Sequence, residues 1–377
     1  HLRSKHAACR RADLNVTVIP NNKRERTNRE NSIMGSKLLF GSAAAVALAV
    51  TFSITHVKAD AVADYFKGRV GIMAVGFGPG GGYDRYSRLV VNHFGKHMPG
   101  KPIYVPQFMP GGGSLKMANY TYNVSPKDGS FIGLASPMLP IFQLIRSKGF
   151  KVDVRKLSWI GRLATQKHVM MVRSDTGIKN IDDLKKTEIV AAASGLASPT
   201  YMFPAFLNSV IGTKFKIIKG YKGSAGTRLA LERGEAQALT SGWISWKSSV
   251  PQWIESKFII PVVELGFDKS PDLPKDVPLI LDLAKTKADR EFMEFMMGPT
   301  ITGRAIFGPP GIPKAHLDAL RTAYSKMVKD PAFLAEAKSR KVEIHPMSGA
   351  EIAKRVTQTA SASPAVVKRA KEALGFK

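Results

Sequence analysis

The chain has 377 residues, 44% of them apolar, and a single cysteine, Cys9; this suffices for two domains with filled cores and excludes a disulfide-stapled, fibrous or disordered chain. Fifty-six Lys and Arg against 29 Asp and Glu give a formal net charge of +27, a field that draws in acidic small molecules. The basic residues are scattered, with no Lys/Arg block and no interleaved aromatic platform, so nucleic acid is not the expected partner.

Residues 1–33 are polar and basic without apolar periodicity and are expected to lie outside the native protein, read through from an over-extended start. Met34-Gly35-Ser36-Lys37 followed by the apolar run Leu38 to Val57 reads as a signal peptide over 34–59, with cleavage before Asp60 or Val62 and an uncleaved anchor as the alternative. Cys9 lies upstream of that signal, so disulfides, thiol catalysis and cysteine metal sites are excluded from the exported chain. From Asp60 onward 46 basic residues still face 26 acidic ones.

Two Pro-Gly-Gly-Gly loops come next. The strand-like runs Val70 to Val75 and Ile103 to Phe108 enter Pro79-Gly80-Gly81-Gly82 and Pro110-Gly111-Gly112-Gly113. The segments leaving them have helical spacing, with Tyr86, Leu89, Val90 and Phe94 on one face of the first, and Leu115, Ala118, Asn119 and Tyr122 on one face of the second. Successive glycines let backbone N–H groups converge, and a helix N-terminus adds partial positive charge, so a carboxylate or phosphate is the expected guest. Asp84 is expected to accept N–H bonds at the helix start and to pair with Arg88 one turn on.

Lys127-Asp128-Gly129 is a turn that releases a buried strand, Ser130 to Ser136. A second strand–helix series starts at His168-Val169-Met170-Met171-Val172. Ile189 to Ala193 leads to Ser194-Gly195-Leu196-Ala197-Ser198-Pro199, where Ser198 is the expected N-cap. Phe215 to Ile218 leads through Tyr221-Lys222-Gly223 to Ser224, the expected cap of a helix over 225–233, and Glu235 to Ser241, including Thr240, returns as a strand. The alternation argues for parallel α/β layers, and open parallel sheets bind ligands beyond the carboxyl ends of their strands.

Other readings were weighed against these residues. Gly76-Phe77-Gly78-Pro79-Gly80-Gly81 fits the dinucleotide fingerprint, but the strand ending at Phe108 closes without the acidic residue that would hold a ribose. There is no Walker lysine, no Gly-x-Ser-x-Gly elbow and no paired-His zinc motif. His93 and His97 are one turn apart with no evident third ligand and read as a solvated helix face. Trp243, Trp246 and Trp253 read as core or hinge packing.

Gly80-Gly81-Gly82-Tyr83-Asp84-Arg85-Tyr86-Ser87-Arg88 resembles the first-loop signature of the tripartite tricarboxylate transporter receptors, or Bug proteins. Pro110-Gly111-Gly112-Gly113-Ser114 is similar to their second loop, Lys127-Asp128-Gly129-Ser130 to their Asp-Gly turn, Tyr221-Lys222-Gly223 with Gly234-Glu235-Ala236 to a further stretch, and Pro309-Pro310-Gly311-Ile312-Pro313 to their proline-rich return. The ordered match spans nearly all of residues 68–375, with Gln107-Phe108-Met109 and residues 275–307 departing from the pattern. The resemblance implies a type II periplasmic binding protein, or Venus flytrap: two α/β domains joined by a hinge, domain one over 60–165 plus 283–377 and domain two over 166–282. It implies a monomeric periplasmic receptor without catalytic residues, cofactor or metal, whose small-molecule organic anion passes to the integral-membrane permease subunits of a tripartite tricarboxylate transporter. Gly81, Gly82, Tyr83, Asp84, Gly112, Gly113, Ser114 and Ser136 would meet the acid from one side, and Ser194, Ser198, Tyr221 and Thr240 from the other. A ligand sensor acting on a signalling partner and a nucleotide-binding enzyme stay open as alternatives.

Overall fold

A computed structural model describes residues 61–145 and 149–376; the segments expected to be a leader (1–33) and a signal peptide (34–59), with Cys9, lie outside them. Eleven strands form two sheets. The first takes β1 (Val70–Val75), β2 (Ile103–Phe108), β3 (Phe131–Leu134), β4 (Ser158–Arg162), β10 (Ala305–Gly308) and β11 (Met347–Ser348) in the order β11-β4-β10-β3-β1-β2. The second takes β5 (His168–Arg173), β6 (Ile189–Ala193), β7 (Phe215–Lys219), β8 (Ala238–Gly242) and β9 (Ile259–Leu265) in the order β7-β6-β8-β5-β9.

Pairing is parallel where a helix intervenes between strands, as in β2-β1-β3 and β7-β6-β8. The expectation of parallel layers is corrected at the two-residue β11, which runs antiparallel to β4, and at two longer strands. β5 runs antiparallel to β8 and β9, and β10 runs antiparallel to β3 and β4. Each is the first strand laid down after the chain crosses between sheets, so it enters where its parallel neighbours end and must run the opposite way. The crossings touch there: Leu163 N–H donates to Arg304 O and Arg304 N–H to Ala164 O, both at 2.9 Å.

The helices used below are α1 (Gly82–His93), α2 (Leu115–Asn123), α3 (Pro199–Ile211), α4 (Ser224–Glu232), α5 (Trp243–Ser249), α6 (Lys287–Thr302), α7 (Lys314–Met327), α8 (Pro331–Ser339) and α9 (Pro364–Ala373). In α1 the apolar face is as the spacing predicts: Tyr86, Leu89 and Val90 are fully buried with Phe94 against Ile132, Ile160, Leu320 and Tyr324, each worth about 1.5–3 kcal/mol of burial. In α2 the buried side is Met117, Ala118 and Thr121, with Leu115, Asn119 and Tyr122 only half buried. The helix is rotated from its predicted face because Met117 and Thr121 fill the space over β3. A third cluster runs from Ala74, Met117 and Phe142 through Trp159 to Phe203, Phe206 and Phe292, joining elements of both sheets. The C-terminal helix adds to this join, with Tyr201 Oη donating to Leu374 O at 3.2 Å.

Trp243 and Trp246 are buried in the second sheet's outer core, and Trp253 packs half-buried beside it. His93 and His97 are not on a solvated face. His93 is buried with Nε2 2.7 Å from Glu336 of α8, and His97 Nε2 lies 2.9 Å from Asp330. Their helix face is covered by α8, a contact between residues some 240 positions apart that no local pattern announces.

Candidate functional site

The first glycine loop joins β1 to α1. Gly81 is the extended N-cap of α1 and carries no side-chain cap, so the first-turn N–H groups of the helix are left uncapped and Asp84 accepts instead from the residue before the cap. Asp84 is 7% exposed. Its Oδ2 accepts the Gly80 N–H at 2.8 Å and its Oδ1 the Arg88 Nε–H at 2.6 Å. That carboxylate is therefore neutralised within its own turn and does not oppose an incoming anion.

The second loop joins β2 to α2, with Gly111, Gly112, Gly113 and Ser114 all at positive φ. Ser114 is buried and stitches the two loops, donating to Gly76 O at 3.2 Å and accepting the Ser136 N–H at 3.1 Å. Ser136 in turn donates to Ala197 O at 2.7 Å, and Ala197 N–H donates to Gly112 O at 3.2 Å.

The opposite wall comes from the second sheet. Ser198 is the N-cap of α3, with Pro199 behind it, but its hydroxyl does not cap the helix: it donates to Gly195 O at 2.7 Å and shares a 2.6 Å bond with Thr200. The predicted Ser224 cap is likewise corrected. Gly223 occupies the cap position and Ser224 is the first residue of α4, because Gly223 alone can hold the φ of +121° required there while its carbonyl accepts from Thr227.

The walls meet. Gly78 N–H donates to Lys222 O at 3.0 Å, Arg228 Nη2 to Gly80 O at 2.9 Å, and Arg85 reaches Ser248 O. Between them lies a small space of about 30 Å³ lined by Phe77, Tyr83, His168, Ser194, Ser198 and Thr240, with Gln166, Thr200 and Ser224. Of the sequence-predicted residues, Tyr83, Ser194, Ser198 and Thr240 line this space. Gly81 abuts Ser224, an added Cβ standing 3.0 Å from its Oγ. Gly112, Gly113, Ser114 and Ser136 form the stitched loop behind it. Tyr221 lies outside the lining, half-buried against the second sheet's outer core.

Three lining or supporting residues were not singled out from sequence. Tyr83 Oη donates to Gln166 Oε1 at 3.2 Å, and Gln166 Nε2 lies 3.1 Å from His168 Nε2. His168 is 1% exposed and its pKa is held down to about 3, by burial first and by the Arg304 guanidinium second. Arg304 is itself buried, its guanidinium 4.5 Å from the ring centre of Tyr83 and 4.7 Å from that of Tyr86. Tyr83 is pushed far above the ordinary phenol range by burial. Lone polar residues with no motif around them carry no sequence signal; Arg304 fell only within residues 275–307, which depart from the family pattern.

A larger recess, about 700 Å³, sits beside Thr165, Gln166 and Lys167. Its charged side chains are already paired, Lys247 with Asp272 and Lys167 with Asp268, whereas the space between the two walls is bordered by hydroxyl groups and the buried His168 and carries no acid. Among the described residues no group of three His, Cys, Asp or Glu side chains is placed to hold a metal ion.

No protein-family model matches the chain, and no curated protein matches it in sequence. Solved structures do. The periplasmic binding protein BugD superposes with a TM-score of 0.66 at 18% identity, covering 83% of this chain and 99% of its own. The R. palustris protein Rpa4515 with adipate gives 0.63 at 17% identity over 82% and 98%. MatC from Rhodopseudomonas palustris, with bound malate, gives 0.63 at 17% identity over 80% and 100%. The chain thus has the two-sheet α/β fold of periplasmic binding proteins.

Proposed function

We propose that the protein is a periplasmic solute receptor that holds a small carboxylated metabolite, a di- or tricarboxylate or related organic acid, between its two sheets and delivers it to a tripartite tricarboxylate-type membrane permease. On this reading it performs no chemistry and acts as a monomer. One observation carries it: the seam is lined by donors and cations with no acid left free to repel an anion. The glycine loops that precede α1 and α2 lie against the opposite wall at Ser224 and Ser198, Arg85 and Arg228 cross from wall to wall, Arg304 packs on Tyr83, and Asp84 is spent on Gly80 and Arg88. Burial lowers the pKa of both Arg85 and Arg228, and Arg85 lowers that of Arg228 further. Cations crowded in this way gain from a bound anion. The adipate and malate held by two proteins of the same fold support a carboxylate as that anion.

Thermal unfolding scanned against mono-, di- and tricarboxylates, aromatic acids, amino acids and NAD tests the proposal. A ligand at a hundredfold over its dissociation constant stabilises by about 2.7 kcal/mol, a rise of several degrees. A rise with one class of carboxylate is expected. A response to NAD alone, or to nothing, would remove the receptor reading.

A further inference from the structure

Arg304 is 1% exposed, and no carboxylate pairs with it among the described residues. Its Nη2 donates to Ser245 Oγ at 2.9 Å, whereas Nε and Nη1 are buried without any partner. The faces of Tyr83 and Tyr86 attract the cation and the Tyr86 hydroxyl interacts with it, but neither makes a hydrogen bond of ordinary geometry to Nε or Nη1. Nor does the surrounding backbone offset the charge. A Cβ built on Gly82 would stand 2.6 Å from Nη2, so the guanidinium lies against the N-terminus of α1, where the helix dipole is also positive. Buried guanidinium groups are ordinarily paired, because the desolvation of an isolated one is costly.

The neighbouring network has the same bias. Tyr83 Oη donates to Gln166 Oε1, which turns the amide N–H₂ of Gln166 toward His168 Nε2. A neutral imidazole that accepts at Nε2 carries its proton on Nδ1, and His168 Nδ1 is buried and unpartnered. Three unspent nitrogens, two on Arg304 and one on His168, are thus all donors. An acceptor-only guest fits them, and a carboxylate is one.

Resting on the receptor reading above, we infer that Arg304 is the built-in counter-ion of the bound acid: its charge, left without a carboxylate by the fold, is balanced when the space bounded by Tyr83 and His168, about 30 Å³ with the walls in contact, widens to admit an anion. The site therefore selects ionised acids over their neutral isosteres through a buried charge, in addition to the backbone N–H groups of the two loops. The inference separates this arginine from a structural one. A structural arginine supports the unliganded fold, whereas an unbalanced one burdens it and is repaid only by ligand.

The test compares wild type, R304M and R304K by melting temperature without ligand and by calorimetric titration with succinate, malate, adipate and citrate, using succinamide as the uncharged isostere. The expectation is that wild type binds at least one acid and not succinamide. R304M should melt no lower than wild type without ligand, since an apolar side chain of similar length replaces an unpaired buried charge. It should bind that acid at least about tenfold more weakly, the loss expected for a charge-assisted contact. R304K should retain most of the affinity. Undiminished binding by R304M overturns the inference, as does an R304M chain that melts well below wild type or does not fold, or an R304K chain as weak as R304M. If wild type itself responds to no acid, the receptor reading fails first and the inference falls with it, a result distinct from wild type binding and R304M binding equally.

Discussion

His168 stands at the head of β5 with Gln166 on one ring nitrogen and the Phe203 ring centre 4.9 Å away. With Arg304 near and no acid beside it, the imidazole stays neutral in the folded chain down to about pH 3, while in the unfolded chain it titrates near its ordinary value of 6.5. The folded pKa is depressed, so the unfolded state binds the extra proton as pH falls. Stability from this group is complete above about pH 6.5 and is lost progressively toward pH 3. Between pH 7 and pH 5 the loss comes to about 2 kcal/mol. H168Q keeps an amide in the same space and removes that titration. The fall in urea-unfolding stability from pH 7 to pH 5 should therefore be smaller in H168Q than in wild type by about that amount. Carboxylates such as Asp153, held down to about 2 by Arg155, are common to both chains and cancel. Equal pH slopes in the two proteins would show that His168 is protonated in the fold.

The glycine loops belong to the scale of elements, since each is the joint between a strand and a helix. Gly113 has φ +76°, and a Cβ there would meet the backbone N of Ser198 at 2.5 Å and the carbonyl carbon of Ala197 at 2.7 Å. G113A thus adds left-handed strain of about 1–2 kcal/mol and drives the loop away from the 195–198 segment. Gly82 differs: its Cβ would meet side chains, Arg304 Nη2 and Ser245 Oγ, both at 2.6 Å. On the receptor reading, G113A should lose ligand affinity by more than its loss of unliganded stability explains. Parallel calorimetry and chemical unfolding measure the two quantities, and a proportional loss in both would mean that the loop is only a turn.

These joints were legible in the sequence because both ends of each are local: an apolar run, a Pro-Gly-Gly-Gly punctuation and a helical spacing lie within about 25 residues of one another. β1, β2 and β6 fall where their apolar runs put them. What was not legible depends on distant partners. The reversed direction of β5 and β10 follows from where the chain crosses, and the burial of His93 follows from α8. Ser198 and Ser224 have the composition of caps, yet neighbouring hydroxyls and Gly223 take over that work. Gln166 and His168 are neighbours on one crossing and meet Arg304, on the other, only because the two crossings touch, so no spacing could have named the group.

At the scale of the whole molecule, the seam collects positive charge from both walls: Arg85 from α1, Arg228 from α4 and Arg304 at the start of β10. The rest of the chain adds to it, with 46 basic against 26 acidic residues from Asp60 onward. Such a field acts at long range on the approach of an anion and is screened by salt over about 10 Å at 0.1 M. Once the acid is enclosed, its contacts are dry and screened far less. Ionic strength should therefore divide the kinetics: raising NaCl from about 20 to about 500 mM should slow association with the acid several-fold or more and leave dissociation nearly unchanged. Trp243 and Trp246 lie on α5 beside Ser245, the partner of Arg304, and provide an intrinsic fluorescence signal for stopped-flow mixing. A dissociation rate that carries most of the salt dependence would place the ligand on an exposed surface, in contact with solvent counter-ions, and would argue against a site enclosed between the glycine-loop wall and the second sheet.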